Sequence, residues 1–167
     1  TNDVLSAASA ADWRFTVDGT GLTLFCVCKI ATTSNTPLVD DGGYAGGQDG
    51  MGMWVDDGGN FGRATFIIRK DAGTNVVFAQ AANSQNGFPD ATWHCLSADY
   101  SSGNAGRVFG DGCFLISAAQ SAAPVAADPD KTLSLCFNGA ATFGAHEIAA
   151  VVIYNAVLTD AQRRQVE

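Results

Sequence analysis

The side chains in this sequence that could do chemistry are carboxylates, and nearly all of them are Asp. Among 17 acidic residues only Glu147 and Glu167 are Glu. Five of the Asp crowd two loops on either side of one short apolar run. Asp40, Asp41 and Asp49 precede Met51-Gly52-Met53-Trp54-Val55, and Asp56 and Asp57 follow it. Hard cations ask for several converging carboxylate and carbonyl oxygens. Calcium is therefore the one cofactor the pattern admits, with Asp40, Asp41, Asp49, Asp56 and Asp57 as its candidate ligands. The competing reading is turn chemistry, because these Asp share their loops with Gly42, Gly43, Gly58 and Gly59.

Catalysis fares worse. Glycoside hydrolysis needs two carboxylates about 5 Å apart, or about 6.5–9.5 Å for inversion. On one strand that means acidic residues two positions apart, on the same face. Asp40-Asp41 and Asp56-Asp57 are neighbours instead, and neighbours on a strand point opposite ways. A nucleophile relay would have to use His94 or His146. The first follows Trp93 in an apolar run, the second falls in a predicted loop, and no Gly-x-Ser-x-Gly elbow occurs. The Gly-rich stretch 42–52 has no Lys-Ser/Thr and helix behind it, so it is no phosphate loop. The sequence reads as non-enzymatic.

Aromatic rings are the other candidates. Tyr44, Trp54 and Phe61 sit in or beside the Gly/Asp loops, where an exposed ring could stack on a sugar, and are the expected ligand-binding residues. Trp13, Trp93 and Tyr154 read as core. Five Cys is an odd number, and Cys26 and Cys28 share a strand face at a spacing too wide for an easy bridge. Without CxxC or Cys/His spacing, zinc is not expected. All five are expected to be buried free thiols, which suits folding in a reducing cytoplasm.

These residues need a scaffold, and composition points to strands. The chain of 167 residues has 19 Gly and is 47% hydrophobic but only 16% charged, which fits one all-β domain rich in turns. Net charge is −8, with no basic cluster beyond Arg69-Lys70 and Arg163-Arg164, so a nucleic-acid partner is not expected. No apolar run approaches the ~18 residues of a membrane span, and residues 1–10 do not resemble a signal peptide. The chain opens without Met, so it is expected to be a processed product or a piece of a longer protein.

Strands are predicted at 22–30, 51–55, 64–70, 75–80, 93–100, 107–109, 113–118 and 131–137, with loops over 32–49 and 119–130. The closing segment 147–167 reads as a strand running into a helix. Ile148, Ala150, Val152 and Tyr154 fall on one face, and Ala149, Val151 and Ile153 on the other. Both faces are apolar, which predicts a central, fully buried strand. Thr159 and Gln162 then make a capping box, with Asp160 in the first turn. Asp111-Gly112 is a hairpin dipeptide.

The order of pieces resembles the laminin G-like branch of the concanavalin A-like lectin/glucanase superfamily. The matching pieces are Trp93-His94 opening a strand, Asp111-Gly112 in a turn, and Leu133 to Phe137 followed by Asn138-Gly139. The most specific are Ile148 to Tyr154-Asn155 and Leu158-Thr159-Asp160-Ala161-Gln162. Ala150 stands where that family has an acidic residue. The likeness covers nearly the whole chain and implies a two-sheet antiparallel jelly-roll sandwich with a short C-terminal helix. It also implies that a leading strand and the end of the last helix are missing. Relatives of this fold often carry calcium on a sheet rim. Such domains serve as adhesion or carbohydrate-binding modules. The expected role is a structural or adhesion module of a bacteriophage virion, assembled in the host cytoplasm. Its partners would then be other virion proteins or its own copies, with cell-surface glycan as ligand. The alternative is an extracellular carbohydrate-binding module of a secreted bacterial protein, and a glycoside hydrolase comes a distant third.

Overall fold

The computed structural model describes residues 5–6, 9–30, 37–44, 48–56, 62–71, 73–82, 91–136 and 146–167, with the side chains of Leu5, Ser6 and Asp56 outside the description. Two antiparallel sheets pack face to face. The six-stranded sheet runs β1 (Leu5–Ser6), β10 (Ser134–Leu135), β3 (Pro37–Asp40), β4 (Gly50–Asp56), β5 (Arg63–Lys70), β6 (Thr74–Gln80). The five-stranded sheet runs β11 (His146–Tyr154), β2 (Leu22–Ile30), β7 (Trp93–Tyr100), β8 (Gly106–Gly110), β9 (Cys113–Ala118). Helix α1 (Asp160–Val166) closes the chain.

Alternation decides which side chains meet. Leu22, Leu24, Cys26, Cys28 and Ile30 of β2 face Met51, Met53 and Val55 of β4 and Phe66 and Ile68 of β5 across a core at zero exposure. Burying such a side chain contributes roughly 1.5–3 kcal/mol. The other parity has its own buried apolar residues outside that core. Trp54 and Ile67 lie on the outer face of the six-stranded sheet, and Phe25 and Phe109 on the outer face of the five-stranded one. The outer faces are therefore partly covered. On the five-stranded side the cover is α1, whose Arg163 guanidinium stacks 3.7 Å from the Phe109 ring centroid and pairs with Glu167, while Ser97 Oγ donates to Glu167 Oε1. The capping box is complete, with Thr159 Oγ1 accepting from Gln162 N and Thr159 N donating to Gln162 Oε1.

Several expectations change here. Among the described residues the closing strand is an edge strand, paired only with β2, and Val152 is 39% exposed. A bulge between Ile148 and Ala150 is the reason its two faces both look apolar. One extra residue flips the parity, so Ile148, Val151 and Ile153 all pack against the core while Ala150, Val152 and Tyr154 turn outward. His146 belongs to this strand, not to a loop. The stretch predicted as loop before Asp49 holds β3, and Ala10–Thr16 forms a 3-10 helix. The strand expected over 131–137 shrinks to Ser134–Leu135 within the described residues. Trp93 is not core: it is 49% exposed on the outer face of β7. All five Cys are free, but only Cys26 and Cys28 are buried, and Cys113 is exposed on the edge strand β9.

Candidate functional site

The Asp/Gly stretch after β3 is built for close backbone approach. Asp41 N and Gly43 N both donate to Met51 O, at 3.0 and 3.3 Å, folding the turn onto β4. A Cβ on Gly50 would lie 2.6 Å from Gly42 Cα, so the two chains can touch there only as glycines. The carboxylates hold this turn together. Asp41 Oδ2 accepts from Thr16 Oγ1 at 2.7 Å and Oδ1 from Met51 N, while Asp40 Oδ1 accepts from Tyr44 N at 2.8 Å. Both are fully buried. Burial pushes Asp40 up to about 6 and Asp41 to about 7.

Of the five candidate cation ligands, Asp41 has both oxygens engaged inside the protein, while Asp40 Oδ2 is buried without a hydrogen-bond partner among the described residues. Asp49 faces another way: its Oδ1 accepts from Asp71 N at 2.6 Å, and its N donates to Asp130 Oδ2 at 2.6 Å. The side chain of Asp56, and all of Asp57, lie outside the described residues. Among the described residues no group of three or more His, Cys, Asp or Glu converges as a metal site.

The turn does place Tyr44 beside Trp54. Their rings meet edge to face, 5.1 Å between centroids at 88°. Trp54 is only 7% exposed, so it backs Tyr44 rather than offering a face of its own. Phe61 lies outside the described residues. Next to this pair stands Arg69, which the sequence reading overlooked. On β5 the residues Ala64, Phe66 and Ile68 point inward, so Arg69 points outward with Thr65 and Ile67. Its Nη1 donates to Tyr44 O at 3.1 Å and its Nε to Asn75 Oδ1 at 3.2 Å. Burial lowers its affinity for the proton, and the nearby Asp40 charge opposes that shift. The outer face of the six-stranded sheet thus carries an aromatic pair and a half-buried guanidinium fixed by two bonds, with N–H groups left to donate. The strand parity of 64–70 was the signal that could have found it.

A second constellation has the distances of a nucleophile relay. Thr92 Oγ1 is 2.9 Å from His94 Nε2, and His94 Nδ1 is 2.7 Å from Asp111 Oδ2. Acyl transfer also needs backbone donors aimed at an oxyanion. Here the neighbouring N–H groups are committed: Cys95 N to Asp111 Oδ1, Asp111 N to Cys95 O, and Ala91 N to Ile30 O. The relay fastens the β8–β9 turn, where Asp111 and Gly112 take positive φ of 48° and 75° as their order predicts, to β7.

No protein-family model matches the sequence, and no curated protein matches it either. Solved structures do. The CBM40 module of the Ruminococcus gnavus IT-sialidase, bound to α2,6-sialyllactose, superposes with a TM-score of 0.65 at 13% identity, covering 91% of this chain and 84% of that one. The chain shares its fold with a carbohydrate-binding module. The NanB sialidase of Streptococcus pneumoniae gives a TM-score of 0.71 at 12% identity over all of this chain and 26% of that one. The botulinum neurotoxin DC binding domain in complex with SialylT gives 0.67 at 10% identity, covering 98% of this chain and 38% of that one. This chain therefore spans most of the first structure, about a quarter of the second and under two-fifths of the third.

Proposed function

We propose that the chain is a non-enzymatic, extracellular carbohydrate-binding module of a secreted bacterial protein. The observation that carries this is Arg69, anchored by Tyr44 O and Asn75 Oδ1 beside the Tyr44–Trp54 pair on an outer sheet face. A sugar ring stacks on Tyr44, and the remaining Arg69 N–H groups take a carboxylate or hydroxyls of the glycan. A guanidinium that gives up hydration on burial has more to gain from an acidic sugar than an exposed one does. The neighbours that are sialidase or toxin binding domains support a sialylated glycan as the ligand to try first. Kinship with laminin G-like sandwiches fits the capping box behind the closing strand. The virion role expected from the closing motif draws no support from any neighbour named here.

Calorimetric titration with α2,6-sialyllactose and with lactose tests the reading. Sialyllactose should bind and lactose bind roughly tenfold or more weakly, the value of about one charged contact. Arg69→Ala should erase the difference, and Tyr44→Ala should weaken both. Equal binding of sialyllactose by the protein and by both variants, or no heat at millimolar glycan, would overturn it.

A further inference from the structure

The opposite side of the molecule carries a polar cavity, of about 360 Å³, lined by Asp99, Ser101, Asn104, Ala105, Arg107 and Val157. It opens between the β7–β8 turn and the segment that leads into α1, on the five-stranded sheet. We propose that it is a binding site for a single neutral sugar ring. The proposal goes beyond the glycan face described above and does not rest on it.

Charge is the first argument. Arg107 donates from Nε to Asp99 Oδ1 at 2.8 Å, from Nη2 to Asp99 Oδ2 at 2.6 Å, and from Nη1 to Asp160 Oδ1 at 3.3 Å. Two carboxylates thus face one guanidinium in a protein of net charge −8, so anions are repelled. What remains suits hydroxyl groups. Ser101 Oγ accepts from Asn104 Nδ2 at 2.9 Å, which leaves its own O–H to donate, and Asn104 Oδ1 is open to accept. Arg107 keeps two further N–H groups. Ala105 and Val157 give the apolar patches against which the C–H face of a sugar can lie. The volume is at the low end of the ~300–1,000 Å³ range for small-ligand sites, room for one ring rather than a chain.

Rigidity is the second argument. The turn at 101–104 is closed by Asn104 N to Ser101 O at 3.0 Å and tied to two other segments, Ser102 N to Gly19 O at 2.9 Å and Gly103 N to Gln120 Oε1 at 2.7 Å. Gln120 is itself held, accepting from Tyr100 Oη at 3.0 Å and donating to Ala122 O at 2.8 Å. The far wall is pinned by one hydroxyl, Thr23 Oγ1, which donates to Ala156 O at 2.8 Å and accepts from Leu158 N at 2.9 Å. A wall ordered in advance removes part of the entropy cost at the moment of binding.

The test is a titration of the full chain with methyl β-glucopyranoside and methyl β-galactopyranoside, followed by methyl-resolved NMR. At least one sugar should move the Val157 and Ala105 methyl signals saturably. Asn104→Ala and Ser101→Ala should each weaken that binding by roughly tenfold, the value of one polar contact. Both should keep the parent melting temperature. The proposal is overturned by the absence of a saturable shift with either sugar. Unchanged affinity in both cavity variants overturns it too, as do shifts seen only with sulfate or sialyllactose.

Discussion

Thr16 has one hydroxyl proton and two acceptors, Trp13 O and Asp41 Oδ2, each 2.7 Å away. It can donate to only one of them. With Asp41 ionised Thr16 donates to Oδ2; with Asp41 protonated the acid can donate instead and Thr16 turns its proton to Trp13 O, and in either state the 3-10 helix stays latched to the β3–β4 turn. Burial pushes Asp41 up to about 7, and Asp40 beside it to about 6. The sign for stability follows. Folded Asp41 keeps a proton that the unfolded chain loses near its ordinary 3.8. Stability therefore declines as pH rises from about 4 to about 7 and is level above that, at about 1.4 kcal/mol for each unit of displacement. Asp41→Asn mimics the neutral acid and should keep only the shallower Asp40 part of the decline. Thermal melts across this range decide it, and a slope identical to the parent's would refute the protonated Asp41.

Strand β2 is the element on which the five-stranded sheet depends. It pairs along most of its length with β11 on one side and β7 on the other, and its inward side chains have zero exposure. Strand β11 is apolar enough to look central, yet among the described residues it has a partner on one side only. Small and β-branched side chains let it sit at the border: Ala149 and Ala150 present little surface, and the bulge twists the edge. Glu147 adds a charge, pairing with Lys29 at 2.7 Å. Hydrogen exchange should separate the two strands. Amides of β2 should be among the slowest in the protein, whereas every second amide of β11, those pointing away from β2, should exchange orders of magnitude faster. Uniform protection along β11 would mean that this edge is covered in solution.

At the scale of the whole molecule, the two sheets approach closely where β8 crosses β6. A Cβ on Gly106 would overlap Val77 Cγ1, so this crossing accepts only glycine. Gly106→Ala should cost about 1–3 kcal/mol by overpacking, read as a lower urea midpoint, while Gly103→Ala, with open space around it but φ of +79°, should cost less. The same sandwich leaves two outer faces, one bearing Tyr44 and Arg69 and the other bearing α1 and the cavity at Arg107. By itself the sequence determined the strands with clean alternation, the Asp111-Gly112 turn, the capping box and the class of fold, because these depend on neighbours within a few residues. It misplaced the closing strand because a single bulge inverts parity and leaves no mark in composition. It grouped Asp40, Asp41 and Asp49 as cation ligands, and the fold adds what no spacing shows, that they accept from Tyr44 N, Met51 N and Asp71 N. Only the tertiary structure could bring Arg69 to Tyr44, or Asp99 and Asn104 to Val157. Those meetings depend on which strands pair and which side chains are already satisfied, and both are properties of the packed chain.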